Sequence, residues 1–423
     1  MTYEAARRYI EAAAQSGITL GLDSIKHLLS ELNNPQDDLK FIHLAGTNGK
    51  GSVLAYISTI MELAGYKTGR YISPTVTSYR ERIQVNRAHI SKEDFACQLS
   101  KIKKAIDKML AKGLPQPSVF EIETALAFLH FKQAGCAIVV METGMGGRTD
   151  ATNIIKNTLV SVFTSVSRDH MEFLGDTIAD LTQAKAGIIK QGSHVVYGRL
   201  PDEAEKIIKT TAKQYDNQIR VASLDHMMIQ KNKAKYTQTF SYKALDEITI
   251  HLLGKHQIEN ATLAIEAVWS LQAHGFVLSD EQIKAGLNKT RWFARLTVVK
   301  EKDPVIIVDG AHNQDSVRAL AETVAELFPT EKMVGIMGVF KDKEVKEMLT
   351  ELKPVISKIH AITLPDEQRS LSGELLKIKA LEMGMDAESH ELLSDAMYAA
   401  TTGAEVVVVF GSLSYLGAIL SHI

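Results

Sequence analysis

Residues 46–52, Gly46-Thr47-Asn48-Gly49-Lys50-Gly51-Ser52, have the types and spacing of a phosphate-binding turn. Glycine removes the Cβ, so backbone N–H groups can approach an anion, and a helix starting there adds partial positive charge. Lys50 can reach the outer phosphates of a nucleotide, and the Ser52 hydroxyl can ligate Mg²⁺. The spelling departs from G-x-x-x-x-G-K-[ST] because Gly51 separates Lys50 from Ser52. A glycine-rich βα turn with a solvated lysine is the plainer reading. The flanking elements favour the cradle: Phe41–Ala45 reads as a buried strand, and Val53, Ile57, Ile60, Met61 and Ala64 recur at helical spacing up to Gly65.

Other strand ends carry further chemistry. The apolar run Cys136–Met141 is a central parallel strand, and Glu142 follows it with Thr143-Gly144-Met145-Gly146-Gly147-Arg148. In open parallel sheets the ligand lies beyond the carboxyl ends of the strands, where a carboxylate can hold Mg²⁺. Taken alone, Glu142 could also cap a loop, the less favoured reading. The run Leu159–Thr164 leads into Ser167-Arg168-Asp169-His170. A lone histidine is more often structural, but beside Glu142 and Ser52 a metal role for His170 is the better reading. Lys185 has small or apolar neighbours, which points it inward and calls for a charge partner or a modification. His256, Gln257 and Asn260 open a helix over His256–Leu271 and suit a base, a ribose or a phosphate as well as they suit capping. Val305–Val308 runs into Asp309-Gly310-Ala311-His312-Asn313, and Phe410 into Gly411-Ser412. Polar junctions of this kind in two separate arrays predict one site in a cleft between them.

The elements that must position these residues alternate strand and helix. Before the second array lie helical patterns at 1–32, Phe95–Leu110, Phe120–Gln133 and Ile178–Ile189, strands at Lys67–Ile72 and Ser193–Tyr197, and mixed short patterns over 200–250. The second array has strands at Val305–Val308, Val334–Met337, Ile359–Thr363 and Val406–Phe410. The expected class is α/β: a P-loop NTPase-like domain with a mainly parallel sheet over 1–296, then a smaller Rossmann-like α/β domain over 297–423. At 423 residues more than one core is required. Apolar content of 45% and charged content of 23% describe a soluble globular chain, and a net charge of −2 gives no reason to expect nucleic acid or an anionic membrane. Two cysteines, no signal peptide and no apolar run of membrane-spanning length place the chain in the cytoplasm.

The order of the motifs is itself informative. His43–Ser52, Ser73-Pro74, Glu81-Arg82-Ile83, Phe120-Glu121-x-x-Thr124, Gly144-x-Gly146-Gly147-Arg148-x-Asp150-Ala151-Thr152-Asn153 and Asp169-His170 are followed by Lys185-Ala186-Gly187-Ile188, His256-Gln257-x-x-Asn260, Asp309–Asn313 and Gly411-Ser412. Over about residues 20–417 the chain resembles the folylpolyglutamate synthase/dihydrofolate synthase family of the Mur ligase superfamily. The resemblance implies an ATP-dependent amide ligase that phosphorylates a carboxylate of folate or dihydropteroate and lets the amine of L-glutamate attack the acyl phosphate. It implies that Gly46–Ser52, Asn260, Arg295 and Asp309 bind ATP. It further implies that Ser52, Glu142, His170 and a carbamylated Lys185 (N6-carboxylysine) hold Mg²⁺, with K⁺ a further candidate cation. Lys50, Lys185, Arg295 and His312 are then the catalytic set, His312 lying near the acyl phosphate and the incoming amine. Ser73, Pro74, Arg82 and Ser412 border folate or glutamate, and Gly144–Asn153 forms a mobile loop near the domain interface. A monomer is implied.

Three positions depart from the family pattern. Trp292-Phe293-Ala294-Arg295 stands for W-P-G-R, Thr75 follows Ser73-Pro74 where histidine is common, and Gln314 replaces a proline after His312-Asn313. Two alternatives compete. A Mur-type ligase of a nucleotide-linked cell-wall precursor would want a separate domain before the cradle. A P-loop hydrolase or binding module would turn over ATP without glutamate and leaves Asp309–Asn313 without a purpose.

Overall fold

The structure, a computed structural model, describes residues 1–14, 21–169, 171–232 and 234–422. Eight strands form the first sheet, in the order Ala88–His89, Ile83–Val85, Thr68–Tyr71, Ile138–Glu142, Phe41–Ala45, Thr158–Phe163, His194–Tyr197, Ile219–Val221. The six from Thr68–Tyr71 to Ile219–Val221 are parallel; the first two form an antiparallel hairpin on one edge. Strands Phe41–Ala45 and Ile138–Glu142 are buried along their whole length, as β-branched runs covered on both faces must be.

Helix Lys50–Leu63 is apolar almost all round because it is covered twice. The sheet lies on one side, and helices Lys255–Ser270 and Asp280–Lys289 lie on the other. The opposite face of the sheet carries Tyr3–Ala13, Asp23–Glu31, Lys92–Ala111 and Val119–Ala134 over a second core. Residues 227–250, whose patterns are mixed, form an antiparallel three-stranded sheet of Met227–Gln230, Gln238–Tyr242 and Leu245–Ile250.

The second sheet runs Thr297–Lys300, Val305–Val308, Val406–Phe410, Met333–Met337, Lys358–Ile362, Asp386–His390, with only the first pair antiparallel. Its two edge strands are additions to the four expected from sequence. Asp386–His390 is polar and half-covered, so it lacks the apolar run that marks an interior strand. No helix among the described residues is long and apolar enough to cross a membrane.

Candidate active site

The cradle forms as its spacing predicts. Phe41–Ala45 ends at Gly46, and the helix begins at Lys50, two residues before Ser52, with Gly49 as its N-cap at φ +88°. A Cβ on Gly49 would lie 2.6 Å from Asn260 Oδ1, so helix Lys255–Ser270 reaches the turn directly. Lys50 Nζ donates to the carbonyls of Gly46 (2.9 Å) and Thr47 (3.3 Å). A Cβ on Gly51 would sit 3.6 Å from both Glu142 Oε2 and an Arg295 Nη, which puts the strand-end carboxylate and Arg295 on one spot.

That spot is built to hold positive charge. The Ser52 hydroxyl is fully buried without a hydrogen-bond partner. Glu142 is buried and accepts from the Ser73 N–H at 3.1 Å. Burial pushes its pKa up, against the pull of Lys50, the Ser73 N–H and Arg295. An orphaned hydroxyl beside a desolvated carboxylate is the hard-oxygen donor set that suits Mg²⁺. Lys185 is buried in the same cleft, and burial, aided by Lys50 and opposed by Asp169, lowers its pKa to about 7. The loop Gly144–Asn153 is tied to helix Ile178–Ala186, where Arg148 N–H donates to Ala184 O (2.7 Å), and to itself, where Asp150 accepts from Met145 N–H (2.8 Å).

The facing wall comes from the second array. Asp309 accepts from the N–H groups of Leu296 (2.6 Å) and Ala311 (2.8 Å), and burial raises its pKa against Arg295. His312 Nδ1 donates to Gly310 O at 2.7 Å, which leaves Nε2 directed to Asp169 Oδ2 at 3.7 Å. Together these residues enclose a cleft of about 370 Å³. Gly46–Ser52, Ser73, Pro74, Glu142, Lys185, Asn260, Arg295, Asp309 and His312 all line it.

Residues 44–268 match the Mur ligase middle domain and residues 294–413 the Mur ligase, glutamate ligase domain. A dihydrofolate synthase/folylpolyglutamate synthase of Bacillus subtilis (strain 168) is 32% identical over 420 residues, covering 98% of this chain and 97% of that one. The chain belongs to the folylpolyglutamate synthase/dihydrofolate synthase family of Mur ligases. A Mycobacterium tuberculosis folylpolyglutamate synthase complexed with ADP and AMPPCP superposes with a TM-score of 0.90 at 29% identity, covering 99% of this chain and 98% of that one. The E. coli FolC in complex with DHPP and ADP gives 0.87 at 25%, covering 100% and 97%.

Measured against the site expected of this ligase family, two residues are elsewhere. Arg82 does not reach the cleft: its Nε faces Glu123 Oε1 at 3.3 Å, and its guanidinium lies 5.9 Å from the Tyr79 ring, because the buried carboxylate of helix Val119–Ala134 holds it under the edge hairpin. Ser412 does not line the cleft either; its hydroxyl caps the turn Leu413–Leu416 by accepting from Ser414 N–H (3.3 Å). His170 lies outside the described residues.

Sequence reasoning missed a clasp across the cleft. Asn48 and Asn313 exchange side-chain amide hydrogen bonds of 3.2 and 3.1 Å, and Asp169 pairs with Lys343 Nζ at 2.8 Å, both side chains only 9% exposed. Lys343 sits in an unremarkable polar turn, so nothing in its local sequence marks it.

Proposed function

We propose that this amide-forming ligase joins L-glutamate to folate, to dihydropteroate or to both, using ATP and an acyl phosphate. The observation that carries the reading is the meeting of the phosphate cradle with Arg295, Asp309 and His312 in one cleft. The boundary between the two units falls at 296/297, so Arg295 and Asp309 stand on either side of it. Gly46–Ser52 hold the nucleotide phosphates, and Asn260 and Asp309 hold the rest of the nucleotide. Lys50 and Arg295 face the γ-phosphoryl group as the acceptor carboxylate attacks it. That attack gathers negative charge in one place, so catalysis is chiefly positioning and cationic stabilisation.

Ser52, Glu142, His170 and a carboxylated Lys185 would hold Mg²⁺, which would offset the negative charge of the phosphates. For Lys185 the modification joins its uncharged amine to the carbon of CO₂ with loss of one proton, and a lysine held near pKa 7 supplies that amine at neutral pH. His312, with Nδ1–H fixed on Gly310 O, presents Nε2 where a proton leaves the attacking amine. Domain closure shields the acyl phosphate from water. Ser73 and Pro74 border the acceptor.

Phosphate release measured with ATP, Mg²⁺, a pteroate or folate, and L-glutamate, each omitted in turn, tests the reading. Release is expected only with all four. Release that does not require both the acid and glutamate would sink it. A Lys185→Ala enzyme is expected to lose turnover; undiminished turnover would remove lysine carboxylation.

A further inference from the structure

A second compartment of about 230 Å³ adjoins the cleft and shares Gly51, Ser73, Pro74, Glu142, Arg295 and Leu413 with it. Its wall is unusually cationic. Arg70, from strand Thr68–Tyr71, is 4% exposed and donates to Thr59 Oγ1 at 2.8 Å, with its guanidinium 5.9 Å from the Trp292 ring. Arg291 donates to the carbonyls of Asn288 (2.7 Å) and Thr290 (3.0 Å), and Arg295 to that of Ala294 (2.8 Å).

Among the described residues none of these three guanidinium groups has a carboxylate within 4.0 Å. Two other charges in the wall are already matched. Arg87 is held by Glu62 at 2.7 and 2.8 Å, and Glu81 accepts from the N–H groups of Val76, Thr77 and Ser78. Glu142 stands only at the shared boundary. A guanidinium as buried as Arg70 is costly to keep charged without a counter-anion, and burial pushes its pKa down to about 9.

A ligand that completes this compartment must be small, must bring more than one carboxylate, and must extend to the cleft where the acyl phosphate forms. Planar guanidinium forks bind carboxylates two bonds at a time, and Gln84 supplies an amide beside them. We propose that the compartment seats a glutamyl unit by its carboxylates, with Arg70 and Arg291 as the binding residues. The inference rests on the ligase reading. The unit is either the incoming L-glutamate or a glutamyl residue already on the acceptor, and both present the same chemistry.

The test uses the full chain and the variants Arg291→Gln, Arg291→Lys and Arg70→Gln. KM is measured for ATP, for L-glutamate, and for acceptors carrying one and three glutamates. Arg291→Gln is expected to raise one glutamyl KM at least tenfold while the ATP KM stays within twofold, and Arg291→Lys to recover part of the loss. A rise for free glutamate identifies the incoming amino acid; a rise confined to the triglutamate acceptor identifies the tail. If every glutamyl KM stays within twofold in Arg291→Gln, and in Arg70→Gln where its circular dichroism shows it folded, the inference is overturned. Wild-type phosphate release that ignores glutamate would instead overturn the ligase reading. In that case a glutamate-induced rise in wild-type melting temperature, absent in Arg291→Gln, upholds the compartment, and no rise in the wild type rejects it.

Discussion

Gly49 holds φ +88° under the amide of Asn260, so it is constrained twice, by its own backbone and by its neighbour. Gly49→Ala is expected to cost about 1–2 kcal/mol in backbone strain alone. It should also push Asn260 off the cradle, which a kinetic titration would read as an ATP KM at least tenfold higher. Ala294 presents the reverse case. It replaces the glycine of W-P-G-R, yet it keeps the left-handed backbone, φ +59°, with its methyl fully buried. The turn survives the substitution because packing of the methyl, worth about 0.8 kcal/mol, offsets most of a strain of about 1–2 kcal/mol. Ala294→Gly is therefore expected to move stability by no more than about 1 kcal/mol in urea unfolding, while Ala294→Val loses about 3 kcal/mol or more through overpacking on a strained backbone.

At the scale of elements, each half of the site hangs on a strand end that faces its counterpart across the cleft. The cradle follows Phe41–Ala45, and Asp309 follows Val305–Val308. The Asn48–Asn313 amide pair and the Asp169–Lys343 ion pair hold the two ends together. A double-mutant cycle of Asn48→Ala and Asn313→Ala is expected to show a coupling energy of about 1 kcal/mol; strictly additive effects would mean that the pair does not link the halves. Lys343→Met leaves a buried carboxylate without that partner. It is expected to destabilise by about 3 kcal/mol, or to raise the radius of gyration in small-angle scattering if the halves separate instead.

Across the whole molecule, burial sets the acid response. His43, His256 and His360 are held neutral, with pKa values lowered to about 3, about 4 and about 4, in each case chiefly by desolvation. Between the ordinary histidine pKa and these values the unfolded chain binds protons that the folded chain refuses, so their contribution to stability is lost as pH falls from about 6.5 toward 4. The buried carboxyls Glu142 and Asp309, with raised pKa values, act in the opposite sense. His360 lies in the second sheet, away from the cleft, and hydrogen-bonds His390 at 3.0 Å, which makes it the clean probe. Between pH 7 and pH 5 the urea midpoint of His360→Asn should fall less than that of the wild type. An equal fall would show that this histidine is not buried uncharged.

The cradle, the carboxylate after Ile138–Glu142, the inward Lys185 and the junction at Asp309–His312 were all legible in the sequence. Each is a local pattern in which residue type and strand or helix period decide position. The two edge strands of the second sheet were not: Asp386–His390 is polar and half-covered, and Thr297–Lys300 is a half-covered stretch of four residues with only two apolar ones, so neither has an apolar run to announce it. Arg82 and Ser412 were placed by resemblance, but other partners take their side chains: the distant Glu123 holds the arginine, and a local cap on Ser414 N–H takes the serine hydroxyl. Lys343, the Asn48–Asn313 pair, and Arg70 and Arg291 without a carboxylate within 4.0 Å among the described residues, exist only in three dimensions. Their meaning depends on charges and amides that lie more than a hundred residues away, or are absent, and one-dimensional spacing carries no information about either.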